Sequence, residues 1–196
     1  TWTNSEIHKS NKNLKGEHVG AFLVFDTQEN SEVLAKVSSS FINHAQASIN
    51  LNREIPENIS FDELVEEGKL VWNNELSKIK VTSQESEKTN EDLIKFYSSL
   101  YRTILFPRQF HEYDLDNNQI HYSPYDGNIY DGPLYTDNGF WDTFRAVFPF
   151  YSLVYPEKLG EIIQGIMVNP YLESGWLPEW SLSLIHISEP TRRAII

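Results

Sequence analysis

A carboxylate and a guanidinium three residues apart, Asp142 and Arg145, fall directly behind Trp141 in the run Phe140-Trp-Asp-Thr-Phe-Arg145. Side chains at this spacing share one face of a helix. The neighbouring indole and phenyl rings add flat apolar surface. A fixed carboxylate beside planar aromatics suits a sugar ring, which has apolar faces and a hydroxyl edge. Trp176 and Trp180, in Gly175-Trp-Leu-Pro-Glu-Trp180, are further candidates for stacking on such a ring. Each residue also has a plain structural role open to it. Asp142 could cap a helix N-terminus, Asp142 and Arg145 could simply pair, and both tryptophans could pack. Glu179, between a proline and a tryptophan, has the surroundings that raise a carboxyl pKa, but nothing else marks it as a catalytic acid.

The elements that must hold these groups can be read around them. Asp137-Asn138-Gly139 is turn chemistry, as are Asp126-Gly127 and Asp131-Gly132. These residue types tolerate left-handed backbone or bond back to their own chain. Residues 140–154 then read as a helix that Pro149 should kink or split. Pro156 opens another helix from its tolerated first-turn position, with Leu159, Ile162, Ile163, Ile166 and Met167 as the buried stripe. Pro170 sits awkwardly near the end of that helix.

The ordered motifs extend further. Tyr135 through Arg145, then Pro149, Tyr155-Pro156 and Gly175 through Trp180, resemble glycoside hydrolase family 92. Its members are calcium-dependent, inverting exo-α-mannosidases, and the likeness runs from about residue 19 to residue 181. It implies an α+β fragment. Residues 1–55 would be the C-terminal part of a β-sandwich, 56–88 a linker helix, and 89–181 the first helices of an (α/α)6 barrel. By the same resemblance Asp142 holds hydroxyls of the non-reducing mannose, with Trp141 and Arg145 shaping and orienting the contact. The partner is a mannose-containing glycan, the cofactor is calcium, and the location is secreted or periplasmic. An inverting glycosidase needs two carboxyls about 6.5–9.5 Å apart to admit a water. The family's catalytic carboxylates and calcium ligands come from later parts of the barrel, so no catalytic residue and no metal ligand is assigned here. The sequence is expected to be inactive alone. A trehalase-like barrel, which also carries a Trp-Asp pair, and a non-catalytic carbohydrate-binding module are the alternatives.

Earlier in the chain, residues 19–25 and 33–39 read as two antiparallel strands joined through residues 26–31. Ser60-Phe-Asp-Glu63 is a capping box, followed by Leu64, Val65, Val71, Trp72, Leu76 and Ile79 at helical spacing, which places Trp72 in the core. A second box, Thr89–Asp92, opens a helix that Pro107 ends. Between them and the turns, residues 110–125 suggest a hairpin reversing at Asp116-Asn117-Asn118. His111, Glu112, Asp114 and His121 could be metal ligands but lack a helical His spacing or a Cys partner. Asp114-x-Asp116-x-Asn118 imitates the start of a calcium loop, yet Gln119 and Tyr125 stand where glycine and glutamate are required. An exposed polar hairpin is the favoured reading. Asn58-Ile-Ser60 is a formal glycosylation sequon.

Composition removes other classes. The formal net charge of −12, with no basic stripe, argues against nucleic acid. No apolar run approaches the roughly 20 residues that span a bilayer. Aromatic content of 13% supports a packed core, and the absence of cysteine excludes disulfides and thiolate chemistry. The sequence starts at Thr1 without a leader pattern, which carries no reading on export. Residues 182–196 break with everything before them and resemble a translated sequencing-library adapter. They are set aside as a non-native tail, and His186 and Glu189 within them carry no functional weight.

Overall fold

The structure is a computed structural model that describes residues 2–3, 6–7, 15–28, 32–82 and 87–178; for residues 2–3, 6–7 and 87–89 it describes the backbone alone. The chain forms two compact units, residues 1–35 and 36–196. In the first, β1 (Trp2–Thr3), β2 (Glu6–Ile7) and β3 (Val19–Gly20) make a small antiparallel sheet in the order β2-β1-β3. The expected hairpin of residues 19–25 with 33–39 is not formed. Beyond Gly20 the described residues run without regular structure, and Leu23, Val24 and Leu34 stay more than four-fifths exposed. Alternation makes a segment suitable for a sheet, but a lone pair of strands is marginal without a third strand or a helix to pack on.

The second unit begins with α1 (His44–Glu54), capped by Asn43, whose side chain accepts from the Gln46 amide at 2.9 Å. This helix replaces part of the expected sandwich. Its buried face is polar, Gln46 and Asn50, so no apolar period announces it. Both side chains reach residues 112–113: Gln46 donates to the Tyr113 carbonyl at 2.7 Å and Asn50 to Glu112 at 2.6 Å. Glu112 also accepts from Ser40 Oγ and the Phe41 amide.

α2 (Phe61–Leu76) starts at the expected capping box. Glu63 accepts from the Ser60 amide at 2.8 Å while Ser60 accepts from the Glu63 amide. Its packing is thinner than the apolar spacing suggests: Leu64, Trp72 and Leu76 are half-buried, but Val65 and Val71 are exposed. Trp72 rests on Tyr101 with ring centroids 4.5 Å apart. That ring lies on α3 (Glu87–Thr103), whose span includes Thr89. Thr89 is therefore inside the helix and does not cap it; its side chain lies outside the described residues. α3 ends at Thr103, before the residue preceding Pro107.

Two short sheets follow. β4 (Arg108–Gln109) pairs with β8 (Tyr135–Thr136), and between them β5 (Glu112–Tyr113), β6 (Gln119–Tyr122) and β7 (Ile129–Asp131) form an antiparallel sheet in sequence order. The β5–β6 reversal is the expected one, with Asn117 at φ 66. Asp131-Gly132 reverses the chain at φ 99 on the glycine.

The expected helix over residues 140–154 is split, but ahead of the proline. α4 (Phe140–Thr143) and α5 (Val147–Val154) are separated by residues 144–146. Pro149 has no N–H for the Arg145 carbonyl, and its ring would clash with that carbonyl in a continuous helix. The break therefore falls where the lost bond would have been. In α5 Pro149 is third, where an amide is an orphan in any case.

α6 (Pro156–Ile163) begins on Pro156 as expected. It widens into a π-helical segment, Gln164–Val168, before α7 (Asn169–Ser174), which Gly175 closes at φ 77. Pro170 gives the cause of the widening. An α-helix would direct its missing N–H at the Ile166 carbonyl and press its ring there. The core gathers here: Tyr135, Tyr151, Ile162 and Ile166 are at most 4% exposed, with Leu159 and Met167 packed against them. Ile163 of the expected stripe is exposed instead.

Candidate functional site

α4 is held at its start by three successive residues. Asp137 takes a left-handed φ of 60 and its carboxylate is ion-paired with Arg108 of β4. Asn138 is 1% exposed. Gly139 caps the helix in extended backbone, its carbonyl accepting from the Asp142 and Thr143 amides at 3.1 Å. Asp142 is thus not the cap; it stands in the first turn, where a negative charge is favoured. Phe140 turns inward onto the core. Trp141 and Asp142 turn outward, Trp141 to 71% exposure. Asp142 and Arg145 form no ion pair. The Arg145 guanidinium lies over the Trp141 ring, 4.7 Å from its centroid, and 5.2 Å from that of Phe144.

Trp176 follows Gly175 and is 79% exposed. Among the described residues no ring contact or hydrogen bond joins it to the α4 group. Trp180 and Glu179 lie outside the described residues, as does the tail. A cavity of about 430 Å3 opens between α2, the segment that follows α3, α5 and α6, walled by Trp72, Tyr135, Tyr151, Tyr155, Lys78 and Lys158 among others. Trp141, Asp142, Arg145 and Trp176 are absent from its lining. The outward-facing α4 turn, whose carboxylate has no ion pair among the described residues, has the sharper chemistry.

Behind this turn runs a polar network that the sequence did not disclose. Tyr135 donates to Glu161 at 2.8 Å and accepts from Lys158. Gln119 donates to the same carboxylate at 3.1 Å, and the fully buried His111 side chain lies 3.7 Å from it. Burial and the hydrogen bond to Glu161 push the Tyr135 phenol far up. Burial works to raise Glu161, but the bonds from Tyr135 and Lys158 prevail and hold it below its ordinary value. Burial holds the His111 imidazole below its ordinary 6.5, against the opposing pull of the Leu134 carbonyl and Glu161. The unfolded chain therefore takes up a proton on His111 that the folded chain refuses. Stability from this group is present above pH 6.5 and is lost as pH falls through the lower folded value. Urea midpoints should drop more for the wild type than for His111→Gln between about pH 7.5 and about pH 5.5; equal drops would refute the assignment.

The hairpin is not the exposed polar excursion expected. His111 and His121 are 5% and 0% exposed, each facing a helix residue 40 or more positions later. His121 is bonded through Nδ1 to the Gly132 carbonyl at 2.9 Å and through Nε2 to Glu173 at 2.8 Å. His111, Glu112, Asp114 and His121 have separate partners, and among the described residues no three His, Asp or Glu side chains converge as a metal set. The calcium-loop likeness fails on its first ligand: the Asp114 carboxylate is taken by the Asp116 and Asn118 amides and by Asn118 Nδ2. The described residues do not fit a calcium ion.

A family model described as the glycosyl hydrolase family 92 catalytic domain matches residues 46–188, most of the chain. An inverting mannosidase of that family from Bacteroides thetaiotaomicron VPI-5482 aligns over 72% of the chain at 48% identity with a TM-score of 0.66. An α-mannosidase of the same family from Bacteroides thetaiotaomicron, solved with mannoimidazole, aligns over 72% at 29% identity and a TM-score of 0.59. No curated protein matches. The chain belongs to glycosyl hydrolase family 92. It spans 18% of the length of each of these enzymes, and the family model reaches seven residues into the segment set aside as a tail.

Proposed function

We propose that this chain is part of an enzyme that releases terminal α-linked mannose from glycans with inversion, and that its share of the work is to hold the non-reducing sugar. Its helices would begin an (α/α)6 barrel, and the small sheet would close a β-sandwich. The catalytic acid and base and the calcium ligands lie elsewhere in the enzyme, which is secreted or periplasmic. The observation that carries the reading is the α4 turn. Asp142 is exposed, has no ion-pair partner among the described residues, and stands beside an indole that is 71% exposed. An ionised carboxylate without a cation keeps its acceptor positions for hydroxyl donors. Trp176 and Trp180 are proposed as further walls of the pocket. The mannoimidazole complex of a 29% identical family member supports mannose as the sugar.

Two measurements test this. The chain alone, supplied with an α-mannoside and calcium, should release no mannose; turnover above background would overturn the placement of the catalytic groups. In an active enzyme carrying this sequence, Asp142→Ala should lower kcat/KM roughly 10-fold or more, the scale of a charged hydrogen bond to the sugar. An unchanged kcat/KM would remove Asp142 from the substrate site.

A further inference from the structure

The guanidinium of Arg145 does not meet the carboxylate three residues before it. It lies 4.7 Å from the Trp141 centroid and 5.2 Å from that of Phe144, two rings that are 6.1 Å apart and tilted by 56°. Trp141 and Phe144 are 71% and 51% exposed, so neither ring is fixed by burial. An exposed indole on a four-residue helix has free rotamers unless something holds it. A cation over the ring supplies that hold through the quadrupole of the indole. It also covers one face of the ring, leaving the other for a ligand. Because the guanidinium is engaged with the rings, it is not the counter-ion of the Asp142 carboxylate.

We infer that Arg145 is a positioning residue: it clamps Trp141 in one orientation and stays off Asp142, and it does not itself touch the sugar. The clamp stands on ring geometry alone; the sugar it serves rests on the function proposed above. The planar guanidinium matters as well as its charge, since it can lie flat on an aromatic face, whereas the ammonium of lysine offers only a point charge to the ring.

The test has two arms. The chain, labelled with 5-fluorotryptophan, carries five tryptophans, and the signal lost in Trp141→Phe identifies position 141. Arg145→Ala should shift and broaden that signal and leave those of Trp72 and Trp176 in place, with Arg145→Lys restoring it only in part. A Trp141 signal unmoved by Arg145→Ala overturns the clamp. In an active enzyme carrying this sequence, Arg145→Ala should raise KM about 2- to 5-fold, and should raise it no further once Trp141 is alanine. If the rise persists undiminished in the Trp141→Ala background, Arg145 contacts the sugar directly and the inference is wrong. A silent Asp142→Ala would sink the sugar contact alone, and the fluorine signal would still decide the clamp.

Discussion

Replacing Glu173 with alanine is expected to cost about 3–5 kcal/mol of stability, the range for removing one partner of a buried pair. The Glu173 and His121 side chains are 3% and 0% exposed and meet at 2.8 Å. His121 Nδ1 faces the Gly132 carbonyl, so it carries a hydrogen and donates. Its Nε2 then depends on Glu173, whose removal leaves that nitrogen buried without its partner. The loss should be larger than at any exposed ion pair of the chain, such as Lys69–Glu66, where about 0–1 kcal/mol is usual. Glu173→Gln keeps the volume and one oxygen and should recover part of the loss. The pair is not ideally satisfied, since Glu173 Oε2 is buried with no hydrogen-bond partner, so its value lies in joining α7 to the β6 strand. Urea denaturation of both variants checks this, and a loss below about 1 kcal/mol for alanine would refute it.

Gly165→Ala is expected to cost about 3 kcal/mol, the upper part of the overpacking range. A Cβ there would stand 2.8 Å from Tyr135 Cδ2 and 3.0 Å from the Pro133 carbonyl oxygen. The tyrosine cannot swing away, because its hydroxyl is held by Glu161 and Lys158 and its ring is 2% exposed. The second neighbour is backbone and can yield only by moving the link between β7 and β8. Tyr135 is the first residue of β8, and Asp137 and α4 follow it directly, so the strain is passed to Trp141 and Asp142. Gly160→Ala on α6, with nothing within 4 Å of its added carbon, is the control. It should be neutral or slightly stabilising. Similar losses for the two variants would show that the contact with Tyr135 carries no weight.

How much of this was legible depends on how local the cause is. The Ser60–Glu63 capping box, the reversal at residues 116–118 and the turn into α4 are settled by residues within four positions of each other, and the sequence shows all three. α1 escaped because its buried face is Gln46 and Asn50, although Asn43-x-x-Gln46 is itself a capping signature. The burial of His111 and His121 could not be read from the hairpin, since Glu161 and Glu173 lie 50 and 52 residues downstream. Asp137 looked like a turn former and is one, at φ 60, but its anchor on Arg108 joins residues 29 apart. At the site itself, the spacing put Asp142 and Arg145 on one helical face, but α4 ends at Thr143 and Arg145 lies beyond it. It could not show that an aromatic face would win the guanidinium from the carboxylate.

The widened turn at Gln164–Val168 has one more consequence. Each residue advances an α-helix by about 100°, so one extra residue in the π-helical turn changes the phase of everything after it. Deleting a residue there would rewind the segment and swing α7 around its own axis, and the side chain that now meets His121 would point elsewhere. The proline that forces the irregular turn thereby also determines which residue of α7 becomes the partner of the histidine.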